Sequence, residues 1–175
     1  MKKALCKVAL FCVLLPSFAI AQDNATEQKL KKAAYLLSVE SSRLKIFRTD
    51  LSKIRKKNIV LSGLDNPKMF HITLLIENIF LAETICAYES LLLKIMDNLE
   101  ENKKLEQYNI HYSRLNESTL NRLYLNYKST LTSIANIDDK EILQFADKAK
   151  EAMLRVLQEI EGVITILQNQ NKSAP

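Results

Sequence analysis

Residues that interrupt helices are almost missing from this chain, and their scarcity constrains the fold more than any other feature. The 175 residues include two glycines, Gly63 and Gly162, and three prolines, of which one, Pro67, lies well inside the chain. Tight β-hairpin turns need residues that tolerate positive φ, and half-buried strands place apolar residues at every second position. The sequence shows neither pattern. It therefore predicts an all-α fold.

Two long segments carry apolar residues at alternating spacings of three and four. One lies between Leu30 and Ile54, with Glu40 at one of its apolar positions, and the other lies between Ile142 and Leu167. This spacing places a single apolar seam along one side of a helix, as in helical bundles and short coiled coils. The clusters SGLDNP at 62–67 and NIDD at 136–139 are the breaks between segments.

A third segment changes phase in its middle. Its first seam is Leu105, Tyr108, Tyr112 and Leu115, and its second is Leu120, Leu123, Tyr127 and Ile134. A change of phase is typical of a bent or interrupted helix, and it leaves open whether 105–116 is a helix or a loop. We expect helices at about 25–57, 66–103, 105–135 and 138–170. They should form an antiparallel up-down-up-down four-helix bundle with long helices, the third kinked or broken near 116–119.

The first 21 residues, MKKALCKVALFCVLLPSFAIA, have the three parts of a secretory signal peptide. A lysine-rich start precedes an apolar run at 8–18 and the small-x-small sequence Ala19-Ile20-Ala21. We predict a cleaved signal peptide over 1–21 and a single helical-bundle domain over 22–175, periplasmic or secreted. Loss of three lysines would reduce the formal net charge from +5 to +2. No nucleic-acid-binding surface is therefore expected.

The segment Met69–Met96 is apolar on most sides but contains Glu77, Glu83 and Glu89. A membrane span needs about 20 consecutive, predominantly apolar residues, and these three glutamates divide the segment into much shorter uncharged runs. We therefore predict no transmembrane span after signal cleavage. One apolar seam was expected to face the core: His71, Leu74, Asn78, Leu81, Ile85, Tyr88, Leu92, Ile95 and Leu99. A second seam beside it indicates a contact with a protein partner or a homo-oligomer.

The residues of that candidate partner interface come from the second and third predicted helices. They are Ile72, Ile76, Ile79, Phe80, Tyr108, Tyr112, Tyr124 and Tyr127. Tyrosines interleaved with asparagines suit recognition surfaces, because tyrosine offers a large contact area with few rotatable bonds. The alternative is that the rings pack inward while their hydroxyls reach water.

Several polar residues lie at apolar positions of the predicted helices. Glu40, His71, Asn78 and Glu89 are interpreted as buried polar residues that fix helix register. His71 and Glu89 are about 27 Å apart along a helix, too far to bind one small ligand. Helical metal sites pair His with an acidic residue three positions away, and neither His71 nor His111 has one. With so few glycines there is no oxyanion or phosphate loop. We therefore expect no metal, no cofactor and no catalytic residues.

A basic run ends the first predicted helix. Lys53, Arg55, Lys56 and Lys57 form a candidate anionic-surface patch, which would give a weak attraction to an anionic membrane surface. The alternative is complementarity to the helix dipole and to Asp138 and Asp139. The sequence as a whole favours an exported, non-enzymatic protein that acts through protein–protein interaction, as an accessory subunit, a chaperone-like protein or an inhibitor. The other hypothesis is a small-molecule-binding or sensing bundle with a pocket near the third-helix kink.

Overall fold

The chain is described by a computed structural model that covers the backbone at 2–62, 67–97, 103–135 and 140–173, and the side chains at 25–59, 69–95, 109–135 and 140–169. Across these ranges it contains four helices and no strand: α1 (Lys2–Ser62), α2 (Pro67–Asp97), α3 (Lys103–Ser133) and α4 (Lys140–Ser173). The prediction of an all-α fold is confirmed. Pro67 opens α2 at the first helical position, where the missing N–H of proline costs nothing.

The four helices pack as a bundle with each at one corner. Helix α2 contacts α1 on one side and α3 on the other, α4 contacts α1 and α3, and α2 meets α4 only sparsely. Among the described residues α1 and α3 do not touch. Every helix therefore has an inner face toward the core and an outer face toward solvent.

The core seams of α1 and α4 are as predicted. In α4 all eight predicted positions are buried: Ile142, Ala146, Ala149, Met153, Val156, Ile160, Val163 and Leu167. In α1, Leu37, Leu44 and Leu51 are fully buried, and Glu40 lies among them with little exposure. The strict alternation of threes and fours placed these seams correctly because each helix has only one apolar side.

The seam predicted for α2 is wrong. The buried positions are Ile72, Leu75, Ile79, Ala82, Cys86 and Leu93, whereas Leu81, Tyr88 and Ile95 of the predicted seam are exposed. The small residues Ala82 and Cys86 allow α1 to lie close to α2. There the Cys86 thiol donates to the Leu37 carbonyl at 2.9 Å, and the Ser90 hydroxyl donates to the Ala34 carbonyl at 2.7 Å. These contacts turn the side with larger apolar residues outward.

Helix α3 runs from Lys103 to Ser133 without interruption, so the predicted break near 116–119 is wrong and 105–116 is helical. Its buried positions are Asn109, Ser113, Leu120, Tyr127 and Ile134. These residues follow one continuous seam, spaced by four and then by sevens. The apparent change of phase arose because polar residues occupy the core positions in the first half of the helix. The other alternative, a kink within a continuous helix, stays a prediction.

Candidate functional site

The outer face of α2 carries a line of exposed apolar side chains. We call the following residues, of which Leu74 is half-buried and Glu77 and Thr84 are polar, the α2 strip: Phe70, Leu74, Glu77, Leu81, Thr84, Tyr88, Leu91 and Ile95. Phe70 is 64% exposed, Leu91 is 54% exposed and Leu81 is 47% exposed. At 100° per residue the strip lies opposite the buried seam through Ile79 and Cys86. It therefore faces away from the core.

A contiguous apolar face of this kind needs an explanation. Single exposed apolar residues are ordinary, but a continuous patch bordered by polar residues marks an interaction site. The α2 strip extends for about 38 Å along the helix. Within the described residues, Met69–Ile95 is also the one segment long and apolar enough to cross a membrane, and 33% of it is buried in the bundle. Core helices of bundles meet the same test, so length and composition alone do not distinguish a membrane span from a bundle helix.

Phe80 lies at the margin of the α2 strip, beside α1. Its ring is half exposed and lies under the Arg48 guanidinium, whose central carbon is 5.1 Å from the ring centroid. Arg48 also donates to the Glu83 carboxylate at 2.7 Å. A cation over an aromatic face contributes about 0.5–1 kcal/mol at such a site. The two contacts of Arg48 therefore hold the Phe80 ring against the edge of the strip.

Only part of the predicted partner interface lies at the surface. Ile72 and Ile79 are fully buried in the core, where no partner can reach them in this fold, and the prediction is corrected for both. Ile76 is half-buried and Phe80 is exposed. The sequence argument missed Phe70 and Leu91, although the spacing of fours and threes that begins at Phe70 was a usable signal.

The predicted tyrosine surface of α3 faces mostly inward. Tyr127 is fully buried and its hydroxyl donates to the Ala146 carbonyl of α4 at 2.9 Å. Tyr112 and Tyr124 are half-buried, and Tyr124 packs against the core. The side chain of Tyr108 lies outside the described residues. The inward-packing alternative thus describes Tyr127, with its hydroxyl bonded to the protein instead of to water.

A buried carboxylate joins α2 to α3. The Ser113 hydroxyl donates to one oxygen of Glu89, and the Asn116 amide donates to the other at 2.7 Å. Burial raises the pKa of Glu89 above its usual range, and the two hydrogen bonds oppose this rise. Asn109, one turn before Ser113, is also buried, and its amide nitrogen has no hydrogen-bond partner in the described part of the chain. These side chains form a polar island inside an apolar core.

The raised pKa of Glu89 predicts that the free energy of unfolding falls as the pH rises above about 4.5. The folded state holds the proton more tightly than the unfolded state. This contribution is therefore complete below the unfolded pKa and is lost as the pH passes through the folded pKa. Glu89→Gln should flatten the profile, measured by urea denaturation from pH 4 to 8. Glu161→Gln, exposed on α4 and outside the α2 strip, should follow the wild-type profile; a Glu89→Gln profile parallel to wild type would contradict the account.

A second buried carboxylate joins α1 to α4. Glu40 accepts two hydrogen bonds from Arg155, at 3.0 and 3.2 Å, and a third from Arg43 in its own helix. Of the four residues predicted to fix register, Glu40 and Glu89 are buried, whereas His71 and Asn78 are half-buried. Asn78 donates to the Leu74 carbonyl of its own helix at 3.0 Å. A bond within one helix carries no information about register between helices.

Cys86 lies between these two carboxylates in the core. It is a free cysteine, and burial together with the nearby Glu40 charge raises the pKa of its thiol to about 12. The thiolate is the reactive form of cysteine, so this thiol is a poor nucleophile at neutral pH. Its role in the fold is the hydrogen bond to the Leu37 carbonyl.

A groove of about 240 Å³ lies between α1 and α2. Its lining residues are Lys31, Ala34, Tyr35, Ser38, Leu93 and Lys94. It is formed by different helices from the pocket predicted near 116–119 of α3. Tyr35 covers it with a ring that is 66% exposed, and Lys31 is paired with Glu27 at 2.5 Å.

The predicted basic patch is partly engaged by neighbouring side chains. Lys53 pairs with Asp50 at 3.0 Å, and Arg55 donates to the Thr73 hydroxyl of α2 at 3.1 Å. Lys56 and Lys57 are exposed. The two aspartates expected to face this patch, 138 and 139, lie outside the described residues.

The described side chains contain no group of three or more His, Cys, Asp or Glu residues arranged to hold a metal ion. No protein-family model, curated protein or solved structure matches this chain. Within the described part of the chain, the α2 strip is therefore the main basis for a proposed function.

Proposed function

We propose that this chain is an exported, non-enzymatic helical bundle that acts by binding another protein through the α2 strip. The observation that carries the proposal is the exposure of Phe70, Leu81, Tyr88, Leu91 and Ile95 on one helix face. At about 25 cal/mol per Å², covering such a face is the main source of association energy available to this molecule. An accessory subunit, a chaperone-like protein or an inhibitor would each use a surface of this kind.

The rest of the proposal concerns export and architecture. The predicted signal peptide over 1–21 would be cleaved before Gln22, and the product would be periplasmic or secreted. The hydrogen bonds described between α2 and α1 involve Ala34 and later residues of α1, all within the predicted mature chain. We further propose the antiparallel up-down-up-down order. It is supported by the contacts of α1 with α2, in which Ala34 meets Ser90 and Arg55 meets Thr73.

Binding is favoured over catalysis because the buried ionisable groups are used to join helices. Glu40 joins α1 to α4, Glu89 joins α2 to α3, Tyr127 joins α3 to α4, and Cys86 joins α2 to α1. A catalytic acid, base or nucleophile needs access to a substrate. These four side chains instead form the polar framework of the bundle.

The second candidate function is small-molecule binding in the groove between α1 and α2. Leu93, Ala34 and the Tyr35 ring supply the apolar part of its lining, and Lys31 and Lys94 supply the basic part. Such a lining would suit a small amphiphile with an anionic end. The groove is smaller than the usual range of about 300–1,000 Å³ for ligand pockets. It therefore ranks below the α2 strip.

We expect the wild-type protein to form a complex with its partner in the exported fraction of its native cells. Leu91→Glu should abolish this complex. The charge would have to be buried within the proposed contact, which costs several kcal/mol. The measurement is size-exclusion chromatography of that fraction, with the intact mass of the recovered chain reporting signal cleavage. We expect wild type above the monomer mass and Leu91→Glu at the monomer mass.

Two variants control this experiment. Leu154→Glu places the same charge on α4 at a residue that is 41% exposed and should elute as wild type does. Tyr35→Ala alters the groove and should also elute as wild type. Monomeric elution of wild type and of all variants would overturn the proposal, and a change confined to Tyr35→Ala would move the function to the groove.

A further inference from the structure

We infer that the partner of the α2 strip is a second copy of this chain, packed antiparallel along α2. The inference rests on the proposed function, since it names the partner of that same surface. The accessible corner position of α2 is one requirement, because α1 and α3 flank the helix without covering its outer face. The other requirement is that the strip complements itself, which its residue order allows.

The spacing of the α2 strip reads the same from both ends: four, three, four, three, four, three, four. An antiparallel pair with its two-fold axis between Leu81 and Thr84 therefore aligns every strip residue with a strip residue of the second copy. The pairs are Phe70 with Ile95, Leu74 with Leu91, Glu77 with Tyr88, and Leu81 with Thr84. Each large apolar side chain except Tyr88 thereby meets an apolar partner or the methyl group of threonine.

Charge decides between the two directions of pairing. Glu77 is the only charged residue of the strip. In a parallel pair it would face Glu77 of the second copy, and like charges opposed at an interface disfavour association. In the antiparallel pair it faces the Tyr88 hydroxyl, which can donate a hydrogen bond to the carboxylate. The antiparallel register is therefore the one that the sequence of the strip permits.

The edge of the strip beside α1 fits the same register. There Phe80 of one copy faces Ala87 of the other, so the ring held by Arg48 meets the smallest side chain on that edge. Lys94 faces Thr73 of the second copy, whose hydroxyl accepts a hydrogen bond from Arg55 at 3.1 Å, so two cations approach each other at each end of this edge and weaken the pairing. Large against small is the arrangement that lets facing helices interdigitate.

The area is sufficient for a modest dimer. The six exposed apolar side chains of this surface, Phe80 included, leave about 600 Å² accessible per copy, and covering most of it in both copies would bury about 1,000 Å², the lower limit for a specific interface. An interface of this size is typical of transient or weak association. We therefore expect a dimer that dissociates on dilution.

The test is charge complementation between two variants of the full chain, each purified after expression and folded as judged by circular dichroism. Phe70→Glu and Ile95→Lys alter exposed residues that the register pairs with each other. Each variant alone should weaken the dimer at least about tenfold, and an equimolar mixture should restore it. The readout is molar mass by light scattering. Mixing Phe70→Glu with Leu81→Lys brings together the same charges about 20 Å out of register and should not restore the dimer.

The outcomes separate this inference from the proposed function. Rescue by both mixtures, or by neither, would overturn the antiparallel register. A monomeric wild type whose complex in the exported fraction is lost in Leu91→Glu would overturn self-association but leave the proposed function standing. A monomer with no such complex would overturn both. A monomer that binds vesicles of phosphatidylglycerol and phosphatidylcholine, with binding lost in Leu91→Glu, would replace the protein partner with a membrane surface.

Discussion

Tyr127→Ala should lower the free energy of unfolding by about 3–5 kcal/mol, the usual cost of deleting a large aromatic ring from a core. Tyr127 is among the largest fully buried side chains of the bundle, and its hydroxyl links α3 to the Ala146 carbonyl of α4 at 2.9 Å. The substitution removes both the ring and this link. Urea denaturation monitored by circular dichroism gives the value. A Leu81→Glu background removes any contribution from self-association.

Tyr127→Phe is the matched control, because it keeps the ring and deletes only the hydroxyl. We expect it to cost about 1 kcal/mol, the net contribution of a typical hydrogen bond. Burial and the nearby Asp147 charge raise the pKa of Tyr127, so the phenol stays protonated and the loss should not vary between pH 6 and 9. Equal losses for the two variants would show that the ring is not packed as described.

Arg155→Met should lower the free energy of unfolding by about 2–3 kcal/mol. The Glu40 side chain is 7% exposed and would lose two of its three hydrogen bonds, retaining the one from Arg43. Removing one partner of a buried ion pair typically costs about 3–5 kcal/mol, and the partial exposure of Arg155 reduces this. Methionine preserves most of the aliphatic contact of arginine, so the change reports mainly on the ion pair.

Arg122→Met provides the control for this second prediction. Arg122 is exposed on α3, and a surface substitution should change stability by less than about 0.5 kcal/mol. If Arg155→Met cost no more than Arg122→Met, Glu40 would have to be solvated in the folded protein. The bridge between α1 and α4 would then be of no consequence for stability.

The sequence predicted the buried faces of α1 and α4 correctly, because each has one apolar side. It predicted the wrong buried face for α2 and for the first half of α3. Helix α4 carries its apolar residues along a single seam, so spacing alone identified its buried face. Helix α2 is apolar on most sides, and its orientation depends on the small Ala82 and Cys86, which allow α1 to approach closely. A pattern of apolar residues cannot show which of two apolar faces a neighbouring helix will cover. The face with the larger side chains was predicted to be buried, and it is exposed.

The buried face of α3 was missed for the opposite reason: it has too few apolar residues at its core positions. Its core positions in the first half are held by Asn109 and Ser113, which a search for apolar residues passes over. Ser113 is buried because it satisfies Glu89, which lies 24 residues earlier on α2. The partner of Glu40, Arg155, is 115 residues away in sequence. Pairings over such distances follow from the three-dimensional packing and leave no signal in local spacing.

The candidate site was half visible in the sequence. A second apolar face on α2 indicated a partner, but Ile72 and Ile79 were placed on it when they belong to the core. With the observed orientation of α2, the candidate partner interface lies on the α2 strip. The reason for expecting such an interface is unchanged. The helix has more apolar surface than one bundle can bury, and the excess faces outward.

The measurement that tests this account most directly is the molar mass of the purified chain in solution, by light scattering across a range of concentrations. We predict twice the chain mass at high concentration, falling toward the monomer on dilution, and a monomer throughout for Leu81→Glu. A wild type that stays monomeric at every concentration, and also in the exported fraction of its own cells, would contradict the claim that the α2 strip is a protein-binding surface.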